Sequence, residues 1–163
     1  MLDGLQLAAE AVGATEAYLY TGAWLTGWVR QVLAQRADDV PVTVIEAPPR
    51  FLSGQETAVV SRVSGGLSLP TFSSRRVSER GVNGAPTLVQ NVETLAHLAL
   101  IARHGPDWFR QRGTPAEPGT TLVTVNAGGR RTVTEVELGI ALANVITDGT
   151  AVLIGGTTAP GYR

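Results

Sequence analysis

Two short polar clusters have the residue types and spacing of a ligand-binding site. The first is Ser53-Gly-Gln-Glu56, which places an amide and a carboxylate at the predicted start of a helix. The second begins at Gln90-Asn91 and opens another predicted helix with Glu93 and Thr94 in its first turn. A helix N-terminus carries unpaired backbone N–H groups and a partial positive charge, so it can bind an anion.

Each cluster also has a purely structural interpretation. Ser53 and Glu56 fit a capping box, in which Ser53 caps the helix and the Glu56 side chain returns to a backbone N–H. Asn91 suits an N-cap, and the helix dipole favours Glu93 in the first turn. Phe51 is better explained as a core residue than as a stacking surface. The residues by themselves leave both interpretations open.

Composition narrows the class of protein. The chain has 163 residues, of which 44% are hydrophobic and 17% charged, and its net charge is −1. The length and the hydrophobic fraction fit one domain or two small ones. A net charge of −1 gives no overall positive electrostatic potential that would attract nucleic acid. The arginine pairs Arg75-Arg76 and Arg130-Arg131 are interpreted as solvated loop charges. No apolar run approaches the roughly 20 residues of a membrane span, and no signal peptide is expected.

Metal ligands are scarce. The sequence contains no cysteine, which excludes disulfides and thiolate-held iron–sulfur clusters within these residues. Its two histidines, His97 and His104, lie seven residues apart on one predicted helix, about two turns. That spacing suits a metal poorly, so we predict no metal site.

Hydrophobic spacing predicts a strand–helix–strand unit near the N-terminus. A helix over 2–12 precedes a strand over 17–20, a helix over 24–36 and a strand over 41–46. Such a unit implies a parallel sheet with a right-handed crossover. We expect the apolar side of its helix to carry Trp24, Trp28 and Val32, with Leu25, Val29 and Leu33 as further candidates. Further helices are predicted after Ser53 and over 91–104, with a long loop over 64–86 between them.

The pattern changes after Pro118. Alternating residues over 121–125 and 131–136 flank Asn126-Ala-Gly-Gly and predict a β-hairpin. A short helix over 140–146 and a strand over 150–154 complete the pattern expected of a small β-grasp-like module.

The order of motifs resembles a known family. Gly81-Val-Asn-Gly-Ala-Pro-Thr-Leu-Val-Gln-Asn-Val-Glu-Thr-Leu95 resembles a signature of the flavin-bearing, NADH-oxidising F subunit of respiratory complex I (NADH-quinone oxidoreductase). That family reads Gly-x-Pro-Thr-x-Val-Asn-Asn-Val-Glu-Thr-Leu there. Phe51-Leu-Ser-Gly-Gln-Glu-Thr-Ala58 is similar to its Tyr-Ile-Cys-Gly-Glu-Glu-Thr-Ala, and His104-Gly-Pro-Asp-Trp-Phe109 to its His-Gly-x-x-Trp-Phe.

The resemblance implies an α/β fold class. Residues 1–112 correspond to the C-terminal half of a complex I flavin domain, a βαβ unit plus helices that bind FMN and NADH. Residues 119–163 correspond to a β-grasp-like, soluble-ligand-binding module. The implied catalytic residue is Glu56, beside the flavin and the nicotinamide. The implied cofactor-binding residues are Gly54, Gln55, Glu56, Gln90, Asn91 and Thr94.

Two family features have no counterpart. The glycine-rich loop that cradles the flavin phosphate would precede Leu2, and the cysteine-rich cluster domain would follow the β-grasp module. Phe51 and Gln55 stand where the family has Tyr and Glu. We therefore expect a truncated or diverged member, and the sequence leaves open whether this chain is itself an enzyme.

The implied function is hydride transfer from NADH to FMN, followed by electron transfer to an iron–sulfur partner. The expected partners are that iron–sulfur subunit or a polypeptide that supplies the missing N-terminal lobe. The expected location is cytoplasmic, peripheral to a membrane complex. The alternative is a noncatalytic binding or assembly module that docks a partner subunit.

Overall fold

The computed structural model describes residues 1–146, which divide into two compact units. The first unit is Met1–Arg103, and the second begins at His104. The strand predicted over 150–154 lies outside the described residues. The assignment of 1–112 to a flavin domain and of 119–163 to a β-grasp module stays a prediction.

The first unit is built on the predicted strand–helix–strand. Helix α1 (Leu2–Ala11) precedes strand β1 (Ala17–Gly22), helix α2 (Ala23–Leu33) and strand β2 (Val42–Ala47). The two strands pair in parallel, from Ala17 opposite Val42 to Gly22 opposite Ala47, because α2 returns the chain to the same end of the sheet. Within residues 1–146 neither strand pairs with a third, so both outer edges of this sheet are unpaired there.

The orientation of α2 differs from the prediction. Val29 is 1% exposed and Thr26 is also buried, and these two residues at i and i+3 form the packed face. Trp24 and Trp28 are 85% and 60% exposed, so of the residues predicted on the apolar side it is Val29, and not these tryptophans, that is packed. The Trp24 ring instead lies against Gly22, where a Cβ would come within 2.9 Å of its Nε1 atom.

Polar contacts hold α1 to the segment that follows α2. The Gln6 side chain pairs with both backbone groups of Val40, donating to the carbonyl oxygen at 2.9 Å and accepting from the N–H at 3.0 Å. The Arg36 guanidinium contacts carboxylate oxygens of Asp3 and Asp38, each at 2.7 Å. These ion pairs lower the pKa of Asp3 and raise that of Arg36.

The remaining helices carry the predicted site residues. A 3-10 turn over Phe51–Gly54 leads into α3 (Glu56–Val63), and a second over Val82–Gly84 precedes α4 (Val92–His104). Helix α1 lies directly on α4, because a Cβ on Gly4 would overlap the carbonyl oxygen of Leu95. No helix within residues 1–146 is long and apolar enough to cross a lipid bilayer.

The second unit contains the predicted hairpin. Helix α5 (Pro106–Phe109) is followed by strands β3 (Thr120–Ala127) and β4 (Arg130–Glu137), which pair antiparallel. Gly128 and Gly129 form the two-residue turn with φ of 55° and 77°, the positive values that a tight hairpin turn of this kind requires. The helix predicted over 140–146 was wrong: only a 3-10 turn over Leu142–Asn144 forms.

Candidate functional site

The start of α3 is capped by Gln55 rather than by Ser53. The Gln55 Oε1 atom accepts from the backbone N–H of Ala58 at 2.9 Å and from the Thr57 hydroxyl at 2.8 Å. Ser53 lies one turn earlier, in the 3-10 turn, and its buried hydroxyl donates to the Pro48 carbonyl at 2.8 Å. The predicted capping box of Ser53 and Glu56 was therefore wrong, because the 3-10 turn delays the first α-helical residue to Glu56.

This arrangement leaves the Glu56 carboxylate exposed at the first position of α3. No hydrogen bond or ion pair engages its side chain within residues 1–146. Gly54 is exposed as well, and open space surrounds the position that a Cβ would occupy. Gln55 uses only its carbonyl oxygen in the cap, so its amide N–H groups stay available to an acceptor. The first predicted cluster is thus an accessible surface with one carboxylate and one amide donor.

A loop that was not predicted to belong to the site joins this cluster. The backbone N–H of Thr71 donates to the Thr57 hydroxyl at 2.9 Å and so fixes the loop to the first turn of α3. The next residue, Phe72, is 99% exposed. A fully exposed aromatic ring beside polar groups is a candidate stacking surface for a planar ligand. The sequence signal that could have indicated Phe72 is an aromatic residue between Thr71 and Ser73 in a polar loop.

Two further contacts restrain the same loop. The Tyr20 hydroxyl on β1 lies 2.8 Å from the hydroxyl of Ser68, which is 5% exposed. The Ser61 hydroxyl on α3 donates to the Leu67 carbonyl at 2.6 Å. The loop is consequently held to β1 and to α3 just before Phe72.

The second predicted cluster opens α4. The Asn91 Oδ1 atom accepts from the backbone N–H of Glu93 at 2.7 Å, the geometry of an N-cap. Its amide N–H groups remain available, and Thr94 is exposed with no side-chain partner in the described chain. Gln90 is exposed as well. Glu93 is half-buried and adds a negative charge at this end of the helix.

The two clusters occupy different elements of the first unit. Gly54, Gln55 and Glu56 are contiguous at the start of α3, whereas Gln90, Asn91 and Thr94 lie at the start of α4. In the described part of the chain no hydrogen bond joins one set to the other. A ligand that used both would have to bridge them, as an extended dinucleotide or flavin nucleotide can.

The donor set fits FMN and NADH in part. Three side chains, Gln55, Asn91 and Thr94, offer N–H or O–H groups suited to phosphate, ribityl or carboxamide oxygens. Glu56 and Phe72 add a carboxylate and an aromatic face. The sequence contains no lysine, so the permanent side-chain cations that these residues can offer to a phosphate are arginine guanidiniums.

The second unit has a groove of about 580 Å³ that none of the predicted site residues lines. Glu135 and Glu137 contribute carboxylates to it. Arg112 contacts Glu137 at 2.9 Å and lowers the pKa of that carboxyl. An acidic lining is unfavourable for an anionic nucleotide, so this groove is less suited to bind a nucleotide than the two clusters are. Among residues 1–146 no group of three or more His, Asp and Glu residues is arranged to hold a metal ion.

Known proteins that resemble this chain include subunits of NADH-quinone oxidoreductases and of an NAD-reducing hydrogenase. The F subunit of the NADH-quinone oxidoreductase of Mycobacterium tuberculosis is 26% identical, over 90% of this chain and 37% of its own length. The alpha subunit of the NAD-reducing hydrogenase HoxS of Cupriavidus necator is 29% identical, over 88% of this chain and 27% of its own. No protein-family model matches the sequence.

A solved structure of an NAD⁺-reducing hydrogenase also resembles this chain. A crystal structure of NAD⁺-reducing [NiFe]-hydrogenase in the H2-reduced state superposes with a TM-score of 0.76 at 31% identity. The match covers 88% of this chain and 27% of that one. The predicted resemblance is therefore confirmed: the chain is a homologue of NADH-quinone oxidoreductase F subunits and of NAD-reducing hydrogenase subunits. It spans between a quarter and two-fifths of the length of these relatives.

Proposed function

We propose that this chain contributes part of the FMN- and NADH-binding site of an NADH-oxidising flavoprotein. The proposal rests on the order in which both polar clusters resemble F-subunit motifs. The similarity to an F subunit over about nine-tenths of the chain supports it. The exposed carboxylate, amides and aromatic ring of the two clusters and their loop are chemically suited to such ligands.

At α3, Glu56 would border the nicotinamide and flavin rings, and its carboxylate would accept a hydrogen bond from the substrate. Gln55 would donate its amide N–H groups while its carbonyl oxygen keeps capping the helix. Phe72 would stack on a planar ring of the dinucleotide. The α3 cluster therefore orients the substrate, and its fixed loop limits the positions that Phe72 can adopt.

At α4, Asn91 and Thr94 would donate to ribityl or phosphate oxygens of FMN, with Gln90 adjacent. Glu93 at the same helix end opposes an anion, so this cluster alone is a weak phosphate site. A glycine-rich loop outside these residues would supply further N–H donors.

Bound FMN supplies the hydride-accepting and one-electron chemistry, which no side chain provides. The chain's own residues bind and orient the two nucleotides. Because these 163 residues contain no cysteine, electrons would pass to a cluster held outside them.

The test combines the chain with FMN and with a polypeptide that carries a glycine-rich lobe. We expect this mixture to bind FMN and to reduce it rapidly on mixing with NADH in stopped-flow absorbance, whereas the chain alone does little. Glu56→Gln should lower NADH affinity at an unchanged melting temperature. Glu10→Gln, which alters another exposed glutamate, is the matched control and should change neither. Equal FMN reduction by wild type and Glu56→Gln would contradict the assigned role.

The alternative function is a noncatalytic docking module. It is favoured by the exposed Trp24 and Trp28 and by the unpaired edges that the β1–β2 sheet has within residues 1–146. A stable complex with the lobe polypeptide, without FMN binding or reduction, would support this alternative over the flavoprotein.

A further inference from the structure

Four residues on the outward face of α2 form an uncharged aromatic surface, which we call the tryptophan stripe. Trp24, Gly27, Trp28 and Gln31 stand at positions i, i+3, i+4 and i+7, which share one face of a helix. All four are exposed, whereas the buried residues of α2 lie on its other side. Two large aromatic rings next to each other on one exposed helix face are typical of an interaction surface.

The tryptophan stripe contains both a projection and a recess. Gly27 has no side chain, and no atom beyond its chain neighbours and the adjacent helix backbone lies within 4 Å of the position that a Cβ would occupy. The rings of Trp24 and Trp28 project beside this recess. The Trp24 ring lies against Gly22, which restricts its orientation. A surface with a projection and a recess on one face can pair with a copy of itself, because each copy offers what the other needs.

Charge on and around the tryptophan stripe does not oppose the pairing of two copies. Residues 23–29 include no charged side chain. Arg30 is the one charged residue of α2, and its guanidinium donates to the Val44 carbonyl oxygen of β2 at 3.4 Å, away from the stripe. The net charge of the chain is −1, so the repulsion between copies is small. A strongly charged partner would find no complementary charge on this face.

The exposed area of the two rings is large enough to matter for a dimer. A tryptophan side chain can bury up to about 250 Å². At exposures of 85% and 60%, Trp24 and Trp28 together offer roughly 360 Å² on each copy. An interface of standard size buries about 800 Å² per partner. The two rings therefore supply close to half of that area, and the rest of the helix face and its rim supply the remainder.

We propose that the tryptophan stripe is the contact surface between two copies of this chain, which pair through an antiparallel α2–α2 contact about a two-fold axis near Gly27. The Trp28 ring of each copy packs over Gly27 of the other, where the absence of a side chain lets the ring reach the helix backbone. A two-fold contact uses the same patch on both copies and closes at a dimer. The inference goes beyond the proposed function, since no residue of the stripe belongs to either polar cluster.

Sedimentation equilibrium of the chain alone, without nucleotide, tests this assembly. We expect a concentration-dependent equilibrium between monomer and dimer, with no larger species. Trp28→Ala removes the projection and Gly27→Gln fills the recess, so each should weaken the dimer at least about tenfold. Both positions are exposed, so neither change disturbs the core. Tryptophan fluorescence of the wild type should shift to shorter wavelength on concentration, and Gly27→Gln, which keeps every tryptophan, should lose that shift.

Two matched controls alter comparable residues outside the tryptophan stripe. Phe51→Ala removes another aromatic ring, which is 85% exposed although we predicted it as a core residue. Ala11→Gln places the same new side chain on an exposed position of α1. Both variants should leave the affinity of the dimer unchanged.

Several outcomes would overturn the inference. They are a chain that stays monomeric up to millimolar concentration, open-ended aggregates in place of a dimer, and a dimer that Gly27→Gln leaves intact. A monomeric chain that binds the lobe polypeptide through the stripe, and loses that complex in Trp28→Ala, would also overturn the pairing of copies and would favour the docking module. None of these outcomes measures FMN or NADH binding, so the proposed function is tested separately.

Discussion

The Thr57 hydroxyl accepts a hydrogen bond of 2.9 Å from the backbone N–H of Thr71 and donates one of 2.8 Å to Gln55. One side chain thus connects the cap of α3 to the loop that carries Phe72. Because the hydroxyl lies between the two, the position of the loop depends on the same atom that supports the start of the helix.

Replacing this hydroxyl should loosen the loop. Thr57→Val keeps the shape of the side chain and removes both hydrogen bonds, so we expect a loss of about 1 kcal/mol in unfolding free energy. The amide of Thr71 should exchange its hydrogen faster with solvent, which NMR would measure. Thr43→Val is the matched control, since Thr43 is exposed on β2 and its hydroxyl has no partner in the described residues. Unchanged exchange at Thr71 would contradict this role.

The assignment of Gln55 as the N-cap of α3 leads to a second prediction. Gln55→Ala should destabilise the first unit by about 1 kcal/mol, because the backbone N–H of Ala58 loses its acceptor. Glu56→Gln should leave stability unchanged, because the Glu56 carboxylate takes no part in the cap. Chemical denaturation of both variants checks the assignment. Equal destabilisation by the two substitutions would restore a capping role for Glu56.

The contact between α1 and α4 leaves no room for a side chain at Gly4. In Gly4→Ala the new Cβ would overlap the carbonyl oxygen of Leu95, and backbone cannot move aside as a side chain can. We expect a cost of about 1–3 kcal/mol in thermal or urea unfolding. Gly27→Ala on α2 is the contrasting control, since no atom beyond its chain neighbours and the adjacent helix backbone lies within 4 Å of its Cβ position. That change should be neutral or stabilise by up to about 1 kcal/mol.

The Asp3–Arg36 pair should make stability depend on pH. Arg36 lowers the pKa of Asp3 in the folded chain from its usual 3.8. Unfolding then takes up a proton at low pH, so the pair stabilises the fold above pH 3.8 and loses that effect as the pH falls through the lowered value. Because the Asp3 side chain is 58% exposed, solvent screening limits the contribution to below about 1 kcal/mol.

Asp3→Asn tests this dependence. Its melting temperature should fall below that of the wild type near pH 7, and the difference should shrink under acid conditions and at high salt. Asp39→Asn removes a nearby exposed carboxylate that forms no ion pair in the described chain, and it should have little effect. A difference for Asp3→Asn that grew on acidification would contradict the expected direction.

The sequence predicted the elements and the parallel βαβ unit because hydrophobic periodicity and turn residues act locally. It also predicted the hairpin, since Gly128 and Gly129 supply the positive φ values that the turn requires. It misplaced the cap, because Ser53 and Gln55 are both capable of capping and the choice depends on the 3-10 turn that ties Ser53 to Pro48. The local pattern favours Ser53, since Ser is a preferred N-cap residue and Gln is not, so the outcome follows from the 3-10 turn alone.

The sequence by itself determined the family resemblance and the two polar clusters, because motif order and residue chemistry are properties of the chain. The tertiary structure decided which face of α2 is packed, since Val29 rather than Trp28 is buried. It also brought Phe72 to the first turn of α3, through a hydrogen bond between residues fourteen apart. Contacts at such separation depend on how the loop closes, and local propensity carries no information about that closure.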